Sequence, residues 1–194
     1  MEDLIVKIFK ESSQLKESFV NDNLSIIVRV VNVMTAALKA GNKVMIFGNG
    51  GSAADAQHLA AEYVNRIMIE RPPLPAISLS TDTSIITSIG NDYDFSEIFS
   101  KQIRALGQPG DIAWGISTSG RSKNVFKGLE QAKKMGLITL ALTGKDGGDI
   151  AGIADYNLNV ASDSTPRIQE VHITVGHVLC QMIDLKLFQR PDIK

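Results

Sequence analysis

The stretch KVMIFGNGGSAADAQHLAAE, residues 43–62, falls into three parts. Lys43 to Phe47 is a short apolar run rich in strand-favouring residues, Gly48 to Gly51 is a glycine turn, and from Ser52 onward the spacing is helical. Strand, tight turn and helix in that order open a βα unit. A strand that is apolar at every position, rather than at alternate ones, belongs to a parallel sheet covered on both faces.

The same texture recurs at AISLS (76–80), IAWGIS (112–117), LITLALT (137–143) and YNLNVA (156–161). Five such runs predict an α/β three-layer sandwich with a five-stranded parallel sheet flanked by helices. Helices are expected from about 52 to 68, from 122 to 135 and from 167 to 187, the last with Pro166 near its first turn. Ahead of the sheet, Leu4, Ile5, Ile8, Phe9, Leu15 and Phe19 mark one amphipathic helix. A second is expected after the cap-like Asn21-Asp22-Asn23, running through Leu38 and stopping at Gly41. The chain is read as one domain over 1–194, with residues 1–41 as an N-terminal helical segment and 42–194 as the α/β core.

Bulk properties narrow the partners. The 194 residues carry 20 basic and 21 acidic side chains, a net charge of −1, which leaves no electrostatic footprint for nucleic acid or an anionic membrane. The longest uncharged run, Val171 to Ile183, is too short to cross a bilayer as a helix. Cys180, the single cysteine, lies among apolar neighbours and reads as a buried, inert thiol in a cytoplasmic protein.

In a parallel α/β sheet ligands bind at the carboxyl ends of the strands, so the segments after each run carry the chemistry. STSGRS (117–122) offers the hydroxyls of Ser117, Thr118, Ser119 and Ser122 where a helix begins, a ready anion site. The GNGGS turn lacks the lysine and spacing of a P-loop and does not match the dinucleotide fingerprint, so no nucleotide cofactor is expected. His58 and Glu62, four apart on one helix, share a face. The last helix carries Gln169, His172 and His177. On spacing alone, these side chains read equally well as a shared site or as core packing, and Asn91 and Asp92 read as a turn.

Taken together, NGGSAADAQHLAAE, GNDY, GISTSGRS, ALTGKDGG and TPRIQEVHI with the later His177 resemble the sugar isomerase (SIS) family and, within it, the phosphoheptose isomerases. The resemblance spans nearly the whole chain. It implies a flavodoxin-like strand order and a homotetramer whose active sites lie at subunit interfaces, with the N-terminal helical segment contributing to assembly. It further implies an aldose–ketose isomerase acting on sedoheptulose 7-phosphate through an enediol, at the start of nucleotide-activated heptose synthesis for lipopolysaccharide or another glycan.

Residue by residue, the resemblance gives Glu62 and His177 the catalytic roles. It assigns substrate contacts to Asn49, Gly50, Gly51, Ser52, Glu62, Asn91, Asp92 and Gln169, and phosphate contacts to Ser117, Thr118, Ser119 and Ser122. It makes His58, Glu62, Gln169 and His177 the ligands of one Zn²⁺. Arg121 stands where these isomerases commonly carry asparagine, and adds a cation beside the phosphate loop. A second branch of the family binds the bacterial replication initiator without being an enzyme. It lacks the carboxylate and the second histidine that this chain keeps.

Overall fold

Val44, Ile46 and their neighbours in β1 (Val44–Gly48) are buried at every position, and the sheet explains why. Its strands are β1, β2 (Ala76–Ser78), β3 (Ile112–Ser117), β4 (Ile138–Gly144) and β5 (Tyr156–Val160), all parallel, in the order β2-β1-β3-β4-β5. This is the flavodoxin-like order. The computed structural model describes residues 1–189.

Alternate residues of each strand feed two different cores. Val44, Ile46, Trp114, Ile116, Leu140 and Leu158 face a layer made by α1 (Glu2–Lys39), α2 (Gly51–Val64) and α7 (Thr165–Phe188). Met45, Phe47, Ala113 and Ala141 face the opposite layer, where α4 (Ile98–Leu106), α5 (Lys123–Lys134) and α6 (Gly148–Ile153) pack. There Phe47 and Phe99 meet with ring centroids 5.0 Å apart. A short helix, α3 (Thr83–Asp92), precedes α4 and buries no residue of its own.

Two expectations change. The break foreseen at residues 21–23 does not occur, and α1 is one continuous helix of 38 residues. Asn23 Nδ2 donates to the Phe19 carbonyl one turn back (2.9 Å), so the side chain supports the helix rather than starting a new one. Packing of Phe19, Ile27, Val30 and Met34 holds the segment on either side in register. The other change concerns α7, whose 24 residues make it long and apolar enough to cross a membrane by length and composition alone. The charged residues Arg167, Glu170, Asp184 and Lys186 interrupt it, and Ile168, Val171, Val175, Leu179 and Ile183 are buried against the sheet layer and α1.

Cys180 is buried and its thiol is pushed up to about 12 by that burial, which keeps it a thiol at neutral pH. His172 is also core. Its Nε2 lies 2.9 Å from the Thr143 carbonyl, which it donates to, and its Nδ1 is buried without a partner. Burial lowers it from 6.5 to about 4. The folded chain therefore keeps His172 neutral where the unfolded chain protonates it, and stability falls as pH drops from 6.5 to 4. The full loss is about 3 kcal/mol at 1.36 kcal/mol per unit. Unfolding curves taken across that window should show the slope, and His172→Gln should flatten it.

Candidate active site

His58 and His177 stand 119 positions apart in the chain, yet their Nε2 atoms are 2.8 Å apart. One ring donates and the other accepts, with the ring planes nearly perpendicular at 81°. Glu62 Oε1 lies 3.5 Å from His58 Nε2. The crossing of α2 and α7 creates this meeting, and Gly176 permits it. A β-carbon at 176 would stand 2.5 Å from Leu59 Cδ2, so a larger residue there would force Leu59 or the helix spacing to shift beside both histidines.

Asp55, one turn before His58, joins the cluster and was not foreseen from the sequence. Its Oδ2 is buried without a partner. Burial raises its pKa, and the nearby His58 and His177 partly offset the rise. The available signal was a lone acid three residues before a histidine in an alanine-rich helix.

Gln169 lays its carboxamide against the glycine loop at the start of α2. A β-carbon at Gly51 would come within 2.5 Å of Gln169 Nε2. Gly50 adopts a positive φ of 56° just before α2. Asn49 forms a reciprocal amide pair with Asn124, Nδ2 to Oδ1 in both directions at 2.8 and 2.7 Å. Asn124 lies in the first turn of α5, so this pair clamps the glycine loop to the helix that follows the hydroxyl loop. Sequence reading passed over Asn124, because nothing local marks an asparagine whose partner is 75 positions away.

The hydroxyl loop lies where expected, between the end of β3 and the start of α5. Ser117 Oγ and Ser122 Oγ are 2.9 Å apart, and Ser119 Oγ accepts from the Arg121 N–H at 3.2 Å. Ser122 occupies the N-cap position of α5 but makes no capping bond. The side chain at the N-cap thus leaves the start of α5 uncapped, and a helix N-terminus favours an anion. Gly120 is required here, since a β-carbon would fall 2.0 Å from the Gly147 carbonyl oxygen and φ is +64°. The Arg121 guanidinium makes a bidentate pair with Asp146 (2.8 and 2.6 Å) and also donates to the Ser119 carbonyl at 3.3 Å. That pairing holds the Asp146 carboxyl down at about 2.

Asn91 and Asp92 are not in a turn but in the last positions of α3, both exposed, with Asn91 Nδ2 donating to Asp92 Oδ1 at 2.9 Å. They make no hydrogen bond to the histidine cluster among the described residues. Between the segment that follows α3 and the start of α5 a cleft of about 410 Å³ opens, lined by Asn49, Asp94, Phe95, Ser96, Ser122, Lys123 and Asn124. Ser52 and Ser117 are buried beneath the two loops.

The donor types at the cluster suit zinc: two imidazole nitrogens and a carboxylate oxygen. At 2.8 Å the two nitrogens are hydrogen-bonded, whereas nitrogen ligands around a tetrahedral zinc stand roughly 3.3 Å apart. Among the described residues no three His, Cys, Asp or Glu side chains are already grouped for a metal. Modest ring movement would make room, and the unpartnered Asp55 carboxylate adds negative charge that favours a cation.

Residues 8–144 match the SIS domain family. A phosphoheptose isomerase of Thermodesulfovibrio yellowstonii is 53% identical over 194 residues, covering 100% of this chain and 96% of that one. One from Aquifex aeolicus is 54% identical over 190 residues, 98% of this chain and all of the other. The structure of phosphoheptose isomerase GmhA from Neisseria gonorrhoeae superposes with a TM-score of 0.89 at 44% identity, covering 94% of this chain and 98% of that one. The chain belongs to the phosphoheptose isomerases of the SIS domain family. It is therefore an isomerase, and the initiator-binding alternative is not favoured. The cluster on α2 and α7 and the hydroxyl loop after β3 are the places to look for its chemistry.

Proposed function

We propose that this isomerase converts sedoheptulose 7-phosphate to D-glycero-D-manno-heptose 7-phosphate through an enediol. The observation that carries this reading is the convergence of Glu62 with His58 and His177, from helices far apart in sequence, in a chain that also presents a hydroxyl-rich loop at the start of α5. Glu62 takes the C1 proton of the ketose and returns it to C2, while His177 moves protons between O1 and O2. Ser117, Thr118, Ser119, Ser122 and the α5 N-terminus hold the phosphate, so that the reacting carbons are fixed relative to the base. Asn49, Gly50, Gly51, Ser52 and Gln169 orient the sugar. Incubating the purified protein with sedoheptulose 7-phosphate and following aldose formation tests the assignment. No product would refute it.

His58, Glu62, Gln169 and His177 would hold one Zn²⁺, which when bound polarises the substrate carbonyl as a Lewis acid. What supports the reading is the donor set and the unpartnered Asp55 beside it. Metal content measured after purification without chelator should approach one zinc per subunit. Chelation should abolish turnover, and added zinc should restore it. Full activity of metal-free protein would reduce the four residues to acid–base and sugar-binding duty.

A homotetramer with active sites at subunit interfaces fits two features of the surface. Leu4, Ile5, Val6 and Phe9 project exposed apolar side chains from the first turns of α1. Asn91 and Asp92 stand exposed at the end of α3, which packs on its own chain only through the partly buried Ile86 and Ile89. A neighbouring subunit would cover the former and receive the latter. The same reading places the enzyme in the cytoplasm, at the first step of nucleotide-activated heptose synthesis for lipopolysaccharide or a related glycan.

A further inference from the structure

Arg71 lies in the loop after α2 with its side chain 1% exposed, paired with Asp184, which is 3% exposed. Its guanidinium uses more than that one bond. Nε donates to Asp184 Oδ1 at 2.9 Å, one terminal nitrogen donates to the Tyr63, Asn65 and Pro72 carbonyls at 2.6, 3.1 and 3.2 Å, and the other donates to the Glu62 carbonyl at 2.8 Å. Glu62, Tyr63 and Asn65 are the last turn and C-cap of α2. Helix-end carbonyls have no intrahelical partner, and a cation placed on them also meets the negative end of the helix dipole. Asn65 leaves the helix with φ −91° and ψ −94°, not in the left-handed conformation that commonly closes a helix end. The guanidinium takes over that duty.

The pair spans the two helices of the active site. Glu62 is in the final turn of α2, and Asp184 lies on α7, seven residues beyond His177. A buried ion pair is weak evidence of net stability, because apolar replacements of similar volume often do as well or better. Its geometry here serves a different end. We propose that Arg71 is a positioning residue for Glu62, and that its pair with Asp184 sets the last turn of α2 at a fixed place relative to His177. The proposal rests on Glu62 being the base.

Steady-state kinetics on full-length Arg71→Lys, Asp184→Asn and the double variant Arg71→Met/Asp184→Leu test it, with circular dichroism and Tm recorded for each. Misplacing a catalytic group by about 1 Å costs on the order of 10²-fold. We expect kcat to fall about 10- to 100-fold in all three, with KM within about threefold, because the phosphate loop is on a different element. Arg71→Lys, which keeps the charge, should retain the most turnover. The double variant removes both charges together, so it should fold with a Tm near the parent and still be slow. A folded double variant with parental kcat would overturn the proposal.

Adding Arg71→Lys to Glu62→Asp separates the routes. A loss much smaller than in the parent supports action through Glu62, whereas an equal loss in both backgrounds refutes it. Glu62→Gln with parental turnover would instead overturn the assignment of the base, a result distinct from failure of the brace.

Discussion

Glu62→Gln should lower kcat for sedoheptulose 7-phosphate by about 10²–10⁴-fold, the range a positioned general base contributes. Glutamine keeps the shape and some hydrogen-bonding capacity of the side chain but cannot accept the C1 proton as a base. The residue is mostly shielded from solvent, 19% exposed, and held between His58 on its own helix and the Arg71-capped turn behind it. Water therefore has poor access to substitute for it. KM should change little, since the phosphate anchor is built on β3 and α5. Zinc content measured on the same preparation separates loss of the base from loss of a metal ligand. A variant that binds substrate, keeps its fold and turns over at the parental rate would remove Glu62 from the mechanism.

The joint replacement Ser119→Ala and Ser122→Ala should raise KM by on the order of 10²–10⁴-fold with a much smaller effect on kcat. Hydrogen bonds to a charged group are worth about 1.5–3 kcal/mol each, and two are lost. The fold should tolerate the change, because Ser122 does not cap α5 and its hydroxyl bonds only to another serine at 2.9 Å. The preference for a phosphorylated over an unphosphorylated heptulose should shrink in proportion. Comparing kcat/KM for the two sugars in parent and variant measures this directly. If the parent turned over both sugars equally well, the hydroxyl loop would have no anchoring role.

Local chemistry made much of the protein legible in its sequence. The central strands β1, β3 and β4 announced themselves because burial on both faces demands apolar residues at nearly every position, whereas the edge strands β2 and β5 are only partly buried. The carboxyl-end rule pointed to Ser117–Ser122, helical spacing put His58 and Glu62 on one face, and family resemblance supplied their roles. The N-terminal segment was read wrongly at one place. Asn21-Asp22-Asn23 has the composition of a helix start, but a long-range partner surface decides whether the helix continues, and packing of Phe19, Ile27 and Val30 decided that it does.

What only the tertiary structure decided are the meetings between distant residues. Gly176 takes its meaning from Leu59, whose side chain occupies the space a β-carbon there would need. Arg71, in a proline-rich loop, is buried on four backbone carbonyls and a carboxylate 113 positions away. Asn124 and Asp55 gained meaning only from Asn49 and from the two histidines. The reason is physical: propensity, periodicity and capping act over a few residues along the chain, whereas the angle and distance at which α2 crosses α7 depend on side-chain packing over the whole interface. That crossing brings His58 and His177 to 2.8 Å, and no pattern within either helix encodes it.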